Sequence, residues 1–182
     1  MVSTLQTRWF FRVASCGSAT STYSGMQRLT DGARLLYTSA ATDTAFMQLN
    51  SQPPAGVRYA GSYFGGVVGT DTAVTGVHHP SGDLQKYSEG VVFAYAQLVR
   101  TSEGNALSRS NTPQNFLLAT WQRGTTEGGS SGSGLFRKMG NNRYVVGQLY
   151  GGNASCSNTG GYDAYGRFDL AYNAGIRRWL NP

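Results

Sequence analysis

An all-β fold is what this sequence predicts, on three observations. The 182 residues include 25 glycines, aromatic residues reach 12% with 11 tyrosines among them, and charged residues make up only 13%. Glycine serves turns, tyrosine suits a pleated half-buried surface, and the Glu, Lys and Leu enrichment of helical proteins is missing. The third observation is spacing. Short apolar or alternating runs at 5–11, 33–37, 45–49, 57–63, 74–78, 91–99, 116–121 and 144–150 are separated by turn signals such as Pro53-Pro54, His79-Pro80-Ser81-Gly82 and Gly140-Asn141-Asn142. Regular short runs of this kind predict a sandwich or a barrel.

Only the tail reads as helical, with Ala174, Ile176, Trp179 and Leu180 on one face behind a cap at Asn173. No heptad, internal repeat, phosphate-binding loop or dinucleotide fingerprint is present, and no Cys/His set has zinc spacing. No dense carboxylate loop suggests Ca²⁺. The reading is therefore of a chain with no metal and no cofactor.

The formal net charge is +6, but the cations are scattered and form no run longer than Arg177-Arg178, so a nucleic-acid partner is not indicated. No apolar stretch approaches the roughly 18–20 residues needed to cross a bilayer, and residues 1–12 do not read as a signal peptide.

The segment most informative about chemistry is Trp121-Gln122-Arg123-Gly124-Thr125-Thr126-Glu127-Gly128-Gly129-Ser130-Ser131-Gly132-Ser133-Gly134-Leu135-Phe136. Composition alone makes it a linker. Strand-like runs flank it closely on both sides, however, and a tight loop rich in glycine can instead turn two backbone N–H groups onto one point.

The pattern Gly129-Ser130-Ser131-Gly132-Ser133 resembles the nucleophile loop of chymotrypsin-like proteases. Further segments match in order: Trp9-Phe10-Phe11 with Ser15-Cys16-Gly17, Thr42-Asp43-Thr44, Gly76-Val77-His78-His79-Pro80-Ser81-Gly82-Asp83, Gly147-Gln148-Leu149-Tyr150-Gly151-Gly152 with Cys156, and Asp163-Ala164-Tyr165-Gly166-Arg167-Phe168. Together they resemble the lysyl endopeptidase-type branch of bacterial chymotrypsin-like serine proteases over nearly the whole chain.

The resemblance implies a chymotrypsin-like double β-barrel. Residues 1–65 are then the remnant of an incomplete first barrel carrying the triad Asp. Residues 66–182 are a second barrel with the nucleophile loop, the specificity pocket and a short C-terminal helix. It implies Ser131 as nucleophile, the amides of Gly129 and Ser131 as oxyanion hole, and Asp43 as the acid that orients a histidine. Asp163 falls where such enzymes place the carboxylate for a basic substrate side chain. Glu127, Gln148, Tyr150, Gly151 and Gly152 surround it as further substrate-binding residues.

Two departures bear on specificity. Ser62 and Tyr150 stand where some lysyl endopeptidases carry Trp and His. The histidine is a larger gap. Only His78 and His79 exist, both after Asp43, and the resemblance assigns them to a strand and turn. In relatives the catalytic His lies upstream of the position matching Met1. The expectation is a truncated, inactive chain from a secreted, monomeric serine endopeptidase acting on protein or peptide substrates after Lys, with Arg as the alternative.

The two cysteines, Cys16 and Cys156, could pair with each other or stay free; the resemblance instead gives each a partner near the mature N-terminus. Two other readings remain at this level. One is a non-catalytic protease-like protein that binds peptides. The other is a small β-sandwich adhesion or carbohydrate-binding module.

Overall fold

The computed structural model describes residues 2–15, 25–102 and 104–181. Its strands are β1 (Thr7–Trp9), β2 (Gln27–Leu29), β3 (Ala33–Ser39), β4 (Thr44–Leu49), β5 (Gly61–Ser62), β6 (Ala73–His78), β7 (Lys86–Thr101), β8 (Gly104–Ser110), β9 (Phe116–Arg123), β10 (Gly134–Met139), β11 (Asn142–Gly152) and β12 (Tyr162–Arg167). Six of them close on themselves. β6 pairs with β7, β7 with β9, β9 with β12, β12 with β11, β11 with β10 and β10 again with β6, all antiparallel. β8 extends β7, and β5 adds in parallel to β11. The pairs β1–β2 and β3–β4 stand as separate two-stranded sheets. The fold is thus mostly β, with one evident barrel and a far less complete partner.

Alternation along β9 shows why these residues build a barrel wall. Leu117, Ala119 and Trp121 join one buried cluster with Val74, Val92, Leu135, Val146, Leu149 and Tyr165, while Phe116 and Leu118 join a second with Ala94, Ala96 and Ala164. Side chains two apart share a face, so one strand feeds an inner and an outer core. Closure needs local bending. Register shifts at Glu89/Gly90 and Val92/Ala94 in β7, at Leu135/Phe136 in β10 and at Leu149/Gly151 in β11 supply it.

The tail differs from its sequence reading in where the helix starts. It begins at Phe168 as α1 (Phe168–Ala171), continues as a π-helical turn (Tyr172–Ile176) and ends as α2 (Arg177–Leu180), so Asn173 lies inside it and caps nothing. The start is fixed instead by a buried ion pair, Arg167 Nε donating to Asp169 Oδ1 at 3.0 Å, with Arg167 Nη1 also donating to the Gln114 carbonyl at 3.0 Å. Phe168, Ala171, Tyr172 and Ile176 then pack against Tyr37 and Phe46 of β3 and β4. That contact seats the β3–β4 hairpin on the barrel and brings the Asp43 turn to the nucleophile loop.

Candidate active site

Between β9 and β10 the chain folds back on itself through glycines. Gly129 has φ of +90°, a conformation that side chains disfavour. Short-range bonds from Ser130 N–H to the Glu127 carbonyl (3.1 Å) and from Ser133 N–H to the Ser130 carbonyl (3.1 Å) make successive turns. The loop is then fastened on both sides. Gly132 N–H donates to the Leu149 carbonyl at 2.7 Å, Leu149 N–H to the Ser133 carbonyl at 2.9 Å, and Ser81 N–H to the Gly128 carbonyl at 2.7 Å. The side chain of Ser130 is buried and that of Ser131 exposed. Among the described residues, the N–H groups of Gly129 and Ser131 have no hydrogen-bond partner. Free amides beside an exposed hydroxyl are the elements an oxyanion hole requires.

Asp43 sits in the turn joining β3 to β4, exposed, with φ of +48°. Gln148 of β11 straps this turn to the barrel: its Nε2 donates to the Thr42 carbonyl at 2.7 Å and to Thr44 Oγ1 at 2.9 Å. Asp43 and Gly132, the residue after Ser131, line one hollow of about 380 Å³ together with Gln148, Phe46, Phe168 and Ile176. The two regions singled out from sequence therefore open onto a shared space.

Neither histidine lines that space. His78 ends β6 and is buried, with Nδ1 at 3.0 Å from Ser130 Oγ and Nε2 at 3.1 Å from Ser88 Oγ. Burial lowers its pKa, and the neighbouring His79 adds to that. His79 stacks on Phe11 and places Nδ1 3.0 Å from the Asp83 carbonyl, ahead of a short 3₁₀ turn (Pro80–Gly82).

Asp163 lies on β12 and is only 2% exposed. Its Oδ2 accepts from Trp121 Nε1 at 2.7 Å and from Thr126 Oγ1 at 2.6 Å. No described residue donates to Oδ1, which lies beside Gly152; a Cβ there would come within 2.5 Å of it. Burial raises the Asp163 pKa, and the two hydrogen bonds only partly oppose it. Gly152 and Gly151 face Asp163 and Ala164 across the β11–β12 pair, and Tyr150 packs edge-on against Phe116. Glu127 Oε1 accepts the Cys156 N–H at 2.6 Å, which lowers its pKa, so this carboxylate is already engaged. The Cys156 thiol is free and exposed, while Cys16 lies outside the described residues.

Sequence reasoning missed Ser130, Ser88, Trp121 and Thr126. The first was masked by its neighbour in the serine motif. The others contact the site only through pairings 10 to 42 residues apart in sequence.

Known proteins resemble the chain in sequence and in fold. The family described as lysyl endopeptidase, C-terminal domain, matches residues 1–166. The lysyl endopeptidase of Pseudomonas aeruginosa is 38% identical over 161 residues, covering 85% of this chain and 31% of that protein, so the chain spans about a third of its relative. Among solved structures, the Rv3671c protease of M. tuberculosis in its active form aligns with a TM-score of 0.54 at 11% identity, covering 83% of this chain and 61% of that one. The MamO protease domain of Magnetospirillum magneticum aligns at 0.51 and 11%, covering 84% and 70%. These place the fold among trypsin-like protease domains and set aside the β-sandwich reading.

Proposed function

The chain belongs to the family of lysyl endopeptidase C-terminal domains, and on that premise we propose that it carries the nucleophile, oxyanion hole and specificity pocket of a secreted serine endopeptidase cleaving after basic residues. Ser131 attacks the scissile carbonyl and forms the acyl-enzyme. The amides of Gly129 and Ser131 hold the oxyanion, and Asp43 orients the base that takes the serine proton. Tyr150, Gly151 and Gly152 wall the pocket, Glu127 braces its rim at Cys156, and Gln148 acts through the Asp43 turn.

One observation carries the reading: the buried carboxylate of Asp163, with one oxygen satisfied by Trp121 and Thr126 and the other without a donor beside Gly152. A buried, half-satisfied carboxylate is costly, and a substrate cation relieves the cost. A single free oxygen suits the point charge of a lysine ammonium better than the two-pronged arginine fork. The pocket therefore favours Lys.

Neither His78 nor His79 reaches the hollow between Asp43 and the loop. Among the described residues no imidazole is placed to take the serine proton, and on this reading hydrolysis by this chain falls to the residual level due to binding and the oxyanion hole. This favours a second reading, peptide binding without turnover.

The test is titration calorimetry with N-acetylated tetrapeptides ending in Lys, Arg or norleucine, alongside cleavage assays. We expect the order Lys, then Arg, with norleucine unbound; Asp163→Asn abolishes the preference, and cleavage matches that of Ser131→Ala. Equal binding of all three peptides would sink the assignment of Asp163.

A further inference from the structure

The interior of the barrel holds a polar chain that the serine chemistry does not use. His78 is 1% exposed and spans two hydroxyls from different segments, Ser130 Oγ on its Nδ1 and Ser88 Oγ on its Nε2. Ser88, itself fully buried, donates its only proton to the Thr125 carbonyl at 3.0 Å. That leaves Ser88 Oγ as an acceptor, so the proton between it and the ring belongs to His78 Nε2. Nδ1 of the neutral ring is then a lone pair, and the Ser130 hydroxyl donates to it. The Glu127 N–H approaches Ser130 Oγ from the other side at 3.4 Å. Every proton in the chain has one consistent place, running from Glu127 N–H through Ser130 and His78 to Ser88 and Thr125.

Ser130 is the residue between the two free amides. Its side chain points inward while Ser131 points out, so whatever fixes the Ser130 hydroxyl fixes the Ser130–Ser131 peptide plane, which carries the Ser131 N–H, and holds the turn closed by the Ser130 N–H on the Glu127 carbonyl, within which the Gly129 N–H lies. Resting on the functional reading above, we propose that His78 is a positioning residue: as a neutral imidazole protonated at Nε2, it anchors Ser130 and thereby aims the Gly129 and Ser131 amides at the oxyanion. Thr125 and Glu127, at the far ends of the same chain, lie in the segment leading into the loop. The anchor thus ties the entering half of the loop to β6 and β7.

Four experiments, on the parent chain and two variants, test this. Imidazole ¹⁵N spectra should show His78 as the neutral Nε2–H tautomer with a slowly exchanging proton. In Ser130→Ala, amide exchange at Gly132 and Ser133 should accelerate tenfold or more while β7 and β9 stay protected. His78→Asn, whose amide oxygen occupies the place of Nδ1, should keep loop protection near the parent value. The oxyanion role is read from a pair of lysine peptides differing only at the C-terminus, a carboxylate that reaches the two amides and a carboxamide that does not develop that charge. Ser130→Ala should lower the carboxylate advantage about tenfold, the size of a hydrogen bond to a charged group, and leave carboxamide affinity unchanged.

An Nδ1–H tautomer, or loop exchange unaltered in Ser130→Ala, overturns the proposal. So does equal weakening of both peptides. Absence of lysine-peptide binding in the parent chain refutes the specificity reading instead, and leaves the tautomer and exchange measurements to decide the anchor.

Discussion

His78 and Asp163 are both buried, and their titrations act on stability in opposite senses. Burial lowers the His78 pKa below 6.5, so the unfolded chain takes up its proton first as pH falls. Stability is therefore full above that value and declines as pH drops from 6.5 toward the folded pKa. Asp163 has a raised pKa, so between 3.8 and its folded value the native state holds the extra proton, and stability from this group grows as pH falls. Urea midpoints between pH 7.5 and 5 should decrease toward acid for the parent and change less for His78→Asn, which isolates the histidine contribution. A pH dependence identical in the two proteins would mean that His78 is not buried in its neutral form. Ser131 and Asp163 were legible in the sequence as candidate site residues because each sits in a local motif. The partners of His78 were not, because Ser88 and Ser130 lie 10 and 52 residues away along the chain and only strand pairing brings them to one ring.

Among elements, β10 and β12 escaped the sequence reading for a shared physical reason. β10 opens inside the glycine and serine run at Gly134, and β12 carries Asp163 and Arg167 among its buried residues, so neither shows a clean apolar alternation. Tertiary pairing overrode weak local preference. The β3–β4 turn is the reverse case. Asp43 is legible from its context, but its support is not, because the glutamine that holds it lies more than a hundred residues later, in a segment that the resemblance assigns to substrate binding. Gln148→Ala removes the bonds to the Thr42 carbonyl and to Thr44 Oγ1 and leaves these groups only their mutual contacts, Thr42 Oγ1 to Thr44 Oγ1 at 2.8 Å and Thr44 Oγ1 to the Thr42 carbonyl at 3.4 Å, a loss of about 0.5–1.5 kcal/mol for each bond removed. Chemical denaturation should register that loss. Amide exchange of residues 42–46 should accelerate well beyond that of β9 if the strap works locally, and uniform acceleration would show that Gln148 serves only global stability.

For the whole molecule, the question is what keeps a two-stranded hairpin at a fixed place on a closed barrel, since an isolated hairpin is marginal in water. The helical tail supplies the contact: Phe168, Ala171, Tyr172 and Ile176 are buried against Tyr37 and Phe46. Ile176 is 1% exposed and also lines the hollow shared by Asp43 and Gly132, so it joins the core to the candidate site. Truncating a buried branched side chain costs about 2–5 kcal/mol when its surroundings cannot collapse. Ile176→Ala should therefore lower stability by an amount in that range, and the change should not stay in the tail. Because the hairpin leans on this residue, exchange protection of β3 and β4 should fall together with that of the helix, while the six-stranded ring keeps its protection. Lysine-peptide affinity, which the proposed function assigns to Asp163 and the ring, should stay at the parent level. If Ile176→Ala instead weakens peptide binding as strongly as it weakens the hairpin, the ring is not an independent platform for the pocket, and barrel, tail and hairpin behave as one cooperative unit.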